Sequence, residues 1–570
     1  MEKLTSCVKE HAGVPTLFIN DEPYYGSAYV TYLPENGCSG SFEKIGVHLY
    51  SACVYFSNQT INPLSNVPIP HLPGIFDIPG EADFSVPDAL LTQIVEADPK
   101  AMIFPRVNIA PARWWEEANP DELNDEPAKP IFPARRVSFS SQKWQAYAAE
   151  CLRIFCEHYE NSRFQQHLVG YQLACGMTQE WFSFDWNGGQ SRRLREGFAT
   201  WDQPKDDPGA IYRYSSEVTV DVIAFFAKKV KEYTNHRVVV GAFHGYTLET
   251  YAKRFAHCAV SRMLKCPDVD FLCSPMAYTD ARRPGVDHAP MPLIDSLKIH
   301  GKLYFTECDE RTYLSKYPGD SGLNVEPGTY RVPVWLGPDA ETSRHVMRSD
   351  FARNLVHNNY FWWFDMWGGW YEHEPFLQDI QAEQDILNQA LKLENRNFQA
   401  QVAVLMDEKS LTWLDDITTI ASNSRIPLGS AGAPYDIYEM EDYETIREKY
   451  HVYVVIEPAE THRSKQVRED LSARGDKLFV INDNEVTAEK LLRFYRESGV
   501  HIYCHDMKVI HVNNHYLSIH NGPEAAETTI YLPEVKTVTP LLDAGETLTG
   551  DRLTVSLKPF ETKLFRLSER

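Results

Sequence analysis

The chain has 570 residues, 43% hydrophobic and 24% charged, with a formal net charge of -23. That length exceeds what one hydrophobic core sustains, so several domains are expected, and the composition excludes a fibrous or disordered chain. The negative charge, unrelieved by any Lys/Arg-rich cluster, repels phosphate backbones and anionic lipid, so neither nucleic acid nor a membrane surface is an expected partner.

The opening MEKLTSCVKEHAGVP lacks the apolar core of a signal peptide. No run of about 18 uncharged apolar residues follows, and a soluble, cytoplasmic protein is expected. Eleven cysteines, an odd number, are scattered without a CxxC pair. Several of them (Cys53, Cys175, Cys273, Cys308) sit in apolar runs, which fits reduced thiols.

From Tyr25 to Leu393, short apolar runs rich in Val, Ile, Tyr and Phe alternate with segments of helical period, the pattern of repeated βα units. Eight strands are predicted, at Gly26–Leu33, His48–Phe56, Lys100–Ile109, His167–Gly176, Arg237–Gly245, Val269–Tyr278, Lys302–Cys308 and Tyr360–Gly368. Each is nearly continuously apolar, as strands covered on both faces must be, and together they predict a (β/α)₈ TIM barrel. Among the helices, Ser140 and Ser141 are candidate caps for a face carrying Trp144, Tyr147, Cys151, Leu152, Phe155 and Tyr159. The last barrel helix, Leu377 to Leu393, runs into the polar stretch Glu394-Asn395-Arg396-Asn397, and the first domain is taken as residues 1–395.

Residues 396–507 repeat the α/β alternation, with strands predicted at Gln401–Met406, His451–Ile456, Lys477–Ile481 and His501–Cys504. This reads as a flavodoxin-like α/β domain. It contains no GxGxxG or Walker-type loop, and GSAGAP at Gly429–Pro434 is too weak a substitute to support nucleotide binding. Over 508–570 helical period disappears and short strands alternate with turns at Asn513-Asn514, Asn521-Gly522 and Gly550-Asp551, predicting a small C-terminal β-sandwich.

In such a barrel, catalytic side chains emerge at the carboxyl ends of the strands. Glu180 follows the fourth strand in GYQLACGMTQEWF, and Glu307 ends the seventh in KLYFTECDERTYL. Strands four and seven stand across the mouth, so the two carboxylates can act on one glycosidic bond as general acid/base and nucleophile. A structural ion pair with a nearby Arg is the bland alternative for either Glu alone; two at these strand ends favour catalysis. A retaining pair stands about 5–5.5 Å apart and an inverting pair about 6.5–9.5 Å.

Eleven of the twelve tryptophans fall in the barrel segment. Trp114, Trp115, Trp181, Trp186, Trp201, Trp335, Trp367 and Trp370 lie in predicted βα loops, where flat apolar faces suit sugar C–H surfaces. About half should instead pack loops against the rim. Trp363, inside the eighth strand, is the tryptophan assigned to the floor of the site. Arg106 and Asn108 end the third strand, Tyr278 the sixth and Asp365 the eighth, all placed to bind hydroxyls or tune the carboxylates. His244 ends the fifth, where a lone His is more often structural.

At these residues the chain resembles the clan of retaining barrel hydrolases whose acid/base and nucleophile follow strands four and seven, and more closely glycoside hydrolase family 42. The likeness is carried by Met102 to Trp181, with its Trp-containing loop Ala112-Arg113-Trp114-Trp115, NPDEL, Arg135–Ser138, the long helix and VGYQLACGMTQEW. QVAVLMDEKSLTWL resembles the opening of the family's middle domain, and SLKPFETKLFRL its terminal β-domain. The resemblance implies β-galactosidase activity with Glu180 and Glu307 in the roles given above, and a homotrimer built through the middle domain.

One departure matters. The family places an Asn that binds the sugar 2-hydroxyl before its acid/base, whereas this chain has Gln179, one methylene longer. A terminal β-galactosyl and a β-mannosyl residue both remain open, the latter as in related three-domain β-mannosidases. The expected reaction is exo-acting double displacement, with Gln179, Trp181 and Trp335 among the substrate contacts and no metal or organic cofactor required. The alternative is a catalytically inactive carbohydrate-binding barrel, distinguished by ligand binding without sugar release.

Overall fold

The computed structural model describes residues 3–32, 37–58, 73–126, 135–176, 178–185, 190–249, 253–315, 337–413 and 419–569. Eight parallel strands close into a barrel: β1 (Ser27–Thr31), β2 (Leu49–Tyr55), β3 (Met102–Asn108), β4 (Gly170–Ala174), β5 (Val239–Phe243), β6 (Phe271–Pro275), β7 (Leu303–Cys308) and β8 (Tyr360–Phe364). Neighbours follow chain order, and β8 closes on β1 with Phe361–Phe364 beside Ser27–Val30.

The strand period of two decides what fills the interior. Phe104, Phe271 and Phe305 form one layer, with ring centroids 5.4, 5.7 and 5.1 Å apart. A Cβ on Gly241 would come within 2.3 Å of the Phe271 ring, so β5 yields that space only as glycine. Two residues further along, the same faces of β3 and β7 present Arg106 and Glu307 above this aromatic floor.

Outside the barrel pack α1 (Gln142–Glu160), α2 (Ala210–Tyr233), α3 (Ala340–His357) and α4 (Glu374–Ala390), among shorter helices. Of the two candidate caps, Ser141 does the work, its side chain accepting from the Trp144 N–H at 3.0 Å. Trp144, Cys151, Leu152, Phe155 and Tyr159 are buried on the face that period predicts.

A three-stranded antiparallel sheet (Ser6–His11, Val14–Ile19, Glu22–Tyr24) precedes the barrel and was not among the expected elements. It lies across the amino ends of the strands: the Ser6 N–H donates to the Arg237 carbonyl at 2.9 Å, and the Leu17 N–H to the Tyr360 hydroxyl at 2.8 Å. The opposite end, where Glu180 and Glu307 sit, is left to the βα loops.

The middle α/β layer is a parallel sheet of β9 (Val402–Met406), β10 (Tyr435–Glu439), β11 (Val452–Ile456) and β12 (Lys477–Ile481), in the order β10-β9-β11-β12. The fourth strand is thus Tyr435–Glu439 and not His501–Cys504, which contributes only an isolated bridge from Cys504 to Ile530. YDIYE hides its strand character behind two acids, both buried; Asp436 accepts from the Ala400 N–H and the Tyr450 hydroxyl.

The C-terminal β-domain comprises β13 (Val509–Val512), β14 (Tyr516–His520), β15 (Ala526–Leu541), β16 (Leu548–Leu557) and β17 (Thr562–Ser568) in one antiparallel sheet. Its longest strand, β15, shifts register between Tyr531 and Lys536, and the sheet gathers a small core of its own from Ile510, Leu517, Ile530, Val555 and Phe565.

The middle layer grips the barrel directly. Arg425 forms a fully buried ion pair with Glu249, in the loop after β5, and Glu408 accepts from the Val260 and Ser261 N–H groups at 2.6 and 3.1 Å. All eleven cysteines stand as free thiols. Among the described residues no helix is long and apolar enough to cross a membrane.

Candidate active site

Glu307, next to last in β7, has its carboxylate inside the barrel and is 5% exposed. Its Oε2 accepts from Arg106 Nη2 at 2.8 Å and from the indole N–H of Trp362 at 3.0 Å. Both donors reach the same oxygen, which leaves Oε1 facing away from them. Arg106 is itself fully buried and held on three sides. Its Nε donates to Gln172 at 3.1 Å, and its guanidinium lies 4.6 Å from the Phe243 ring and 5.5 Å from Trp362. Such a pair survives burial because each charge satisfies the other and the aromatic faces favour the cation. Burial pushes Glu307 above the usual carboxylate range, and Arg106 works against that push.

Glu180 is placed by a loop of unusual backbone. Gly176, Thr178, Gln179 and Trp181 all have positive φ, at 77°, 58°, 71° and 60°. Each non-glycine residue held there costs on the order of 1–2 kcal/mol, strain that concentrates at functional sites. At Gly176 a Cβ would meet the Phe182 carbonyl oxygen at 2.5 Å, so only glycine closes this turn. Glu180 Oε1 accepts from the Tyr246 hydroxyl at 2.7 Å and Oε2 from the Thr178 hydroxyl.

Burial, with the charge of Glu307 adding to it, pushes Glu180 up to about 8, while the bonds from Thr178 and Tyr246 pull the other way. At neutral pH Glu180 therefore holds its proton. Tyr32 and Tyr246 each feel the charges of both Glu180 and Glu307, so the two carboxylates share one electrostatic neighbourhood at the barrel mouth.

The remaining predicted residues divide. Gln179 is fully buried beside Glu180, and neither its amide oxygen nor its nitrogen has a hydrogen-bond partner among the described residues. Tyr278, half-buried, packs under the Arg282 guanidinium at 4.5 Å and also acts electrostatically on Tyr246. Asn108 spends its Oδ1 on the Ala110 N–H at 3.0 Å, bracing the turn after β3.

Three assignments need correction. Trp363 is not the floor: it faces outward, packing on Phe361 and Tyr371, and Trp362 is the indole that reaches Glu307. Asp365 is consumed by the loop after β8, accepting from the Tyr29 hydroxyl and the Gly369 and Trp370 N–H groups at 2.8 to 3.0 Å. Trp181 is fully buried, its N–H on the Leu173 carbonyl at 2.9 Å and its ring against Phe139 and Phe226, so it anchors the strained loop from behind.

His244 is buried and stacked on His257 at 4.6 Å, and burial lowers it to about 3. The ring is neutral, and neither nitrogen has a hydrogen-bond partner among the described residues. Among the loop tryptophans, Trp114 and Trp115 pack on Tyr147, and Trp367 and Trp370 are buried. Trp201 bonds Glu217. Trp335 and Trp186 lie outside the described residues. Tyr246, Thr178, Gln172 and Trp362 were not singled out from the sequence, although Trp362 follows from the alternation once Phe305 and Glu307 are known to face inward.

No family model and no curated protein matches the sequence. Solved structures do. Gan42B, a family 42 β-galactosidase from G. stearothermophilus, aligns over 100% of both chains at 12% identity with a TM-score of 0.60. A β-galactosidase from the psychrophilic Marinomonas ef1 covers 96% of this chain and 100% of its own, at 12% identity and a TM-score of 0.58. The fold is that of the family 42 glycoside hydrolases. It also extends to an exo-carrageenase of that family from Bacteroides ovatus, at 11% identity and a TM-score of 0.56 over 100% of this chain and 86% of the other. The family 42 architecture thus spans the whole chain, barrel and both following domains.

Proposed function

We propose that this chain is a retaining, exo-acting β-glycosidase that hydrolyses terminal β-galactosyl or β-mannosyl residues by double displacement. The observation that carries the reading is the unlike setting of two buried carboxylates at one barrel mouth, Glu180 bonded by the Tyr246 and Thr178 hydroxyls and Glu307 by Arg106 and Trp362. Glu180 is held protonated to about pH 8, while Glu307 is paired with a buried guanidinium. Glu307 Oε1 attacks the anomeric carbon as Glu180 gives its proton to the leaving oxygen. The glycosyl-enzyme then lacks the Glu307 charge, which lowers the Glu180 pKa and lets it deprotonate the incoming water.

Gln179 supports a polar contact to the sugar. An unpaired buried amide costs about 1–3 kcal/mol, which a substrate hydroxyl would recover. Galactoside is the first choice, because two of the similar structures are β-galactosidases. A panel of nitrophenyl β-glycosides, galactoside beside mannoside, tests this: release from one of them at least about tenfold faster than from the other fixes the sugar. Binding of the sugars with no release from any member would support the inactive binding barrel instead.

The homotrimer implied by the resemblance belongs to the same reading, with the middle domain as the assembly surface. Light scattering should give about three times the chain mass of 65.4 kDa. A stable monomer at micromolar concentration would remove it.

A further inference from the structure

A second concentration of buried charge lies behind β7. Glu310, three residues past Glu307, meets His288 from the segment after β6 and Asp350 from α3, and none of the three is more than 6% exposed. His288 Nδ1 stands 3.0 Å from Asp350 Oδ1 and 3.4 Å from Glu310 Oε1. One donor atom from each of the three lies within 4.8 Å of the others.

The other ring nitrogen, Nε2, is 3.1 Å from the Arg283 carbonyl oxygen. A carbonyl only accepts, so Nε2 carries the proton, and in the neutral ring Nδ1 then turns a lone pair toward two carboxylate oxygens. Lone pairs converging in a buried site need positive charge among them, either a bound cation or a second proton on Nδ1. The spacing admits an ion: ligands about 2.0–2.1 Å from a tetrahedral ion stand roughly 3.3 Å from each other, and the 3.4 Å from Nδ1 to Glu310 is longer than the about 2.7–2.9 Å of a charged hydrogen bond.

Two further observations point the same way. Glu310 Oε1 and Asp350 Oδ2 have no hydrogen-bond partner among the described residues. Glu383 on α4, 2% exposed, has neither carboxylate oxygen hydrogen-bonded there, and Asp350 acts on it electrostatically.

We propose that His288, Glu310 and Asp350 bind one divalent transition-metal cation, zinc in the first instance, as a structural site. One imidazole and two carboxylates suit zinc, and the two carboxylates neutralise its charge. The ion would tie the segment after the nucleophile strand to α3 and to the loop after β6. Asp309, adjacent to Glu310, pairs with Arg282, whose guanidinium covers Tyr278, so the same brace reaches the site from outside it. The chemistry at Glu307 needs no metal, and the proposal stands whether or not the chain is a glycosidase. The competing occupant is a second proton on Nδ1: burial opposes it, and Asp350 and Glu310 outweigh burial.

The test uses the full-length protein, equilibrated with zinc, dialysed and analysed for bound metal. About one zinc per chain is expected, a chelator should lower the Tm, and cobalt substituted for zinc should show a visible absorption band of low coordination number. Asp350→Asn and Glu310→Gln should each weaken zinc binding by about a hundredfold or more, since even outer-sphere partners of a site cost tenfold to a hundredfold. If either variant fails to fold, the zinc count and the cobalt spectrum of the unaltered protein decide alone. Zinc and cobalt far below stoichiometry, with a Tm indifferent to chelator, would overturn the proposal in favour of the protonated imidazole.

Discussion

Glu307→Ala is expected to lower kcat by about 10⁴-fold or more, the scale of loss when a covalent nucleophile is removed. In the proposed mechanism its Oε1 forms the glycosyl bond while Arg106 and Trp362 hold Oε2. Truncation opens space where the carboxylate stood, so external azide should restore turnover of an activated aryl glycoside and give a glycosyl azide of inverted configuration. The unaltered enzyme should give the retained product, readable by NMR of the first-formed sugar. A secondary effect accompanies the variant, because Arg106 then loses its buried counter-ion, which typically costs about 3–5 kcal/mol. Glu307→Gln keeps the shape of the clamp and separates loss of chemistry from loss of folding. Turnover near that of the unaltered enzyme in both variants would end the assignment.

Glu180→Ala should depend on the leaving group. General acid catalysis is worth about 10²–10⁴-fold. The variant should therefore lose that much on an alkyl glycoside and far less on a dinitrophenyl glycoside, whose leaving oxygen needs no proton. On the proposed mechanism activity requires protonated Glu180, so kcat/KM should fall as pH rises through about 8, and this alkaline limb should vanish in Glu180→Ala. Tyr246→Phe removes a hydrogen bond that favours the ionised carboxylate, and should move the limb to higher pH. An alkaline limb that persists unchanged in Glu180→Ala would assign the titration to another group.

The eight barrel strands were legible because strands covered on both faces are almost wholly apolar, and a strand-end glutamate interrupts such a run visibly. What the alternation could not resolve was YFWWF in β8. Where both faces bury aromatics there is no polar residue to mark the inside, and nothing in the pattern separates Trp362 from Trp363. Asp365 looked available because its partners, Tyr29 and the 369–370 backbone, come from the far end of the chain or from a turn that period does not predict. Tyr246 was hidden for a different reason. It lies three residues beyond β5, and only the folded loop turns its hydroxyl to Glu180. The sheet beneath the barrel is hard to read because its strands are only three to six residues long and two of the three, SCVKEH and EPY, are interrupted by charges.

The Arg425–Glu249 pair bears on how this chain can be divided. Glu249 Oε1 also accepts from the Tyr278 N–H at 3.3 Å, so a guanidinium from the following domain holds the acid that seats a residue at the mouth. A barrel excised at its last helix would keep the glutamate and lose the one ion-pair partner it has among the described residues, leaving an uncompensated charge under the barrel rim. The smallest fragment able to preserve the geometry of that rim therefore includes the second domain, and any chimera that exchanges the two must carry arginine and glutamate together.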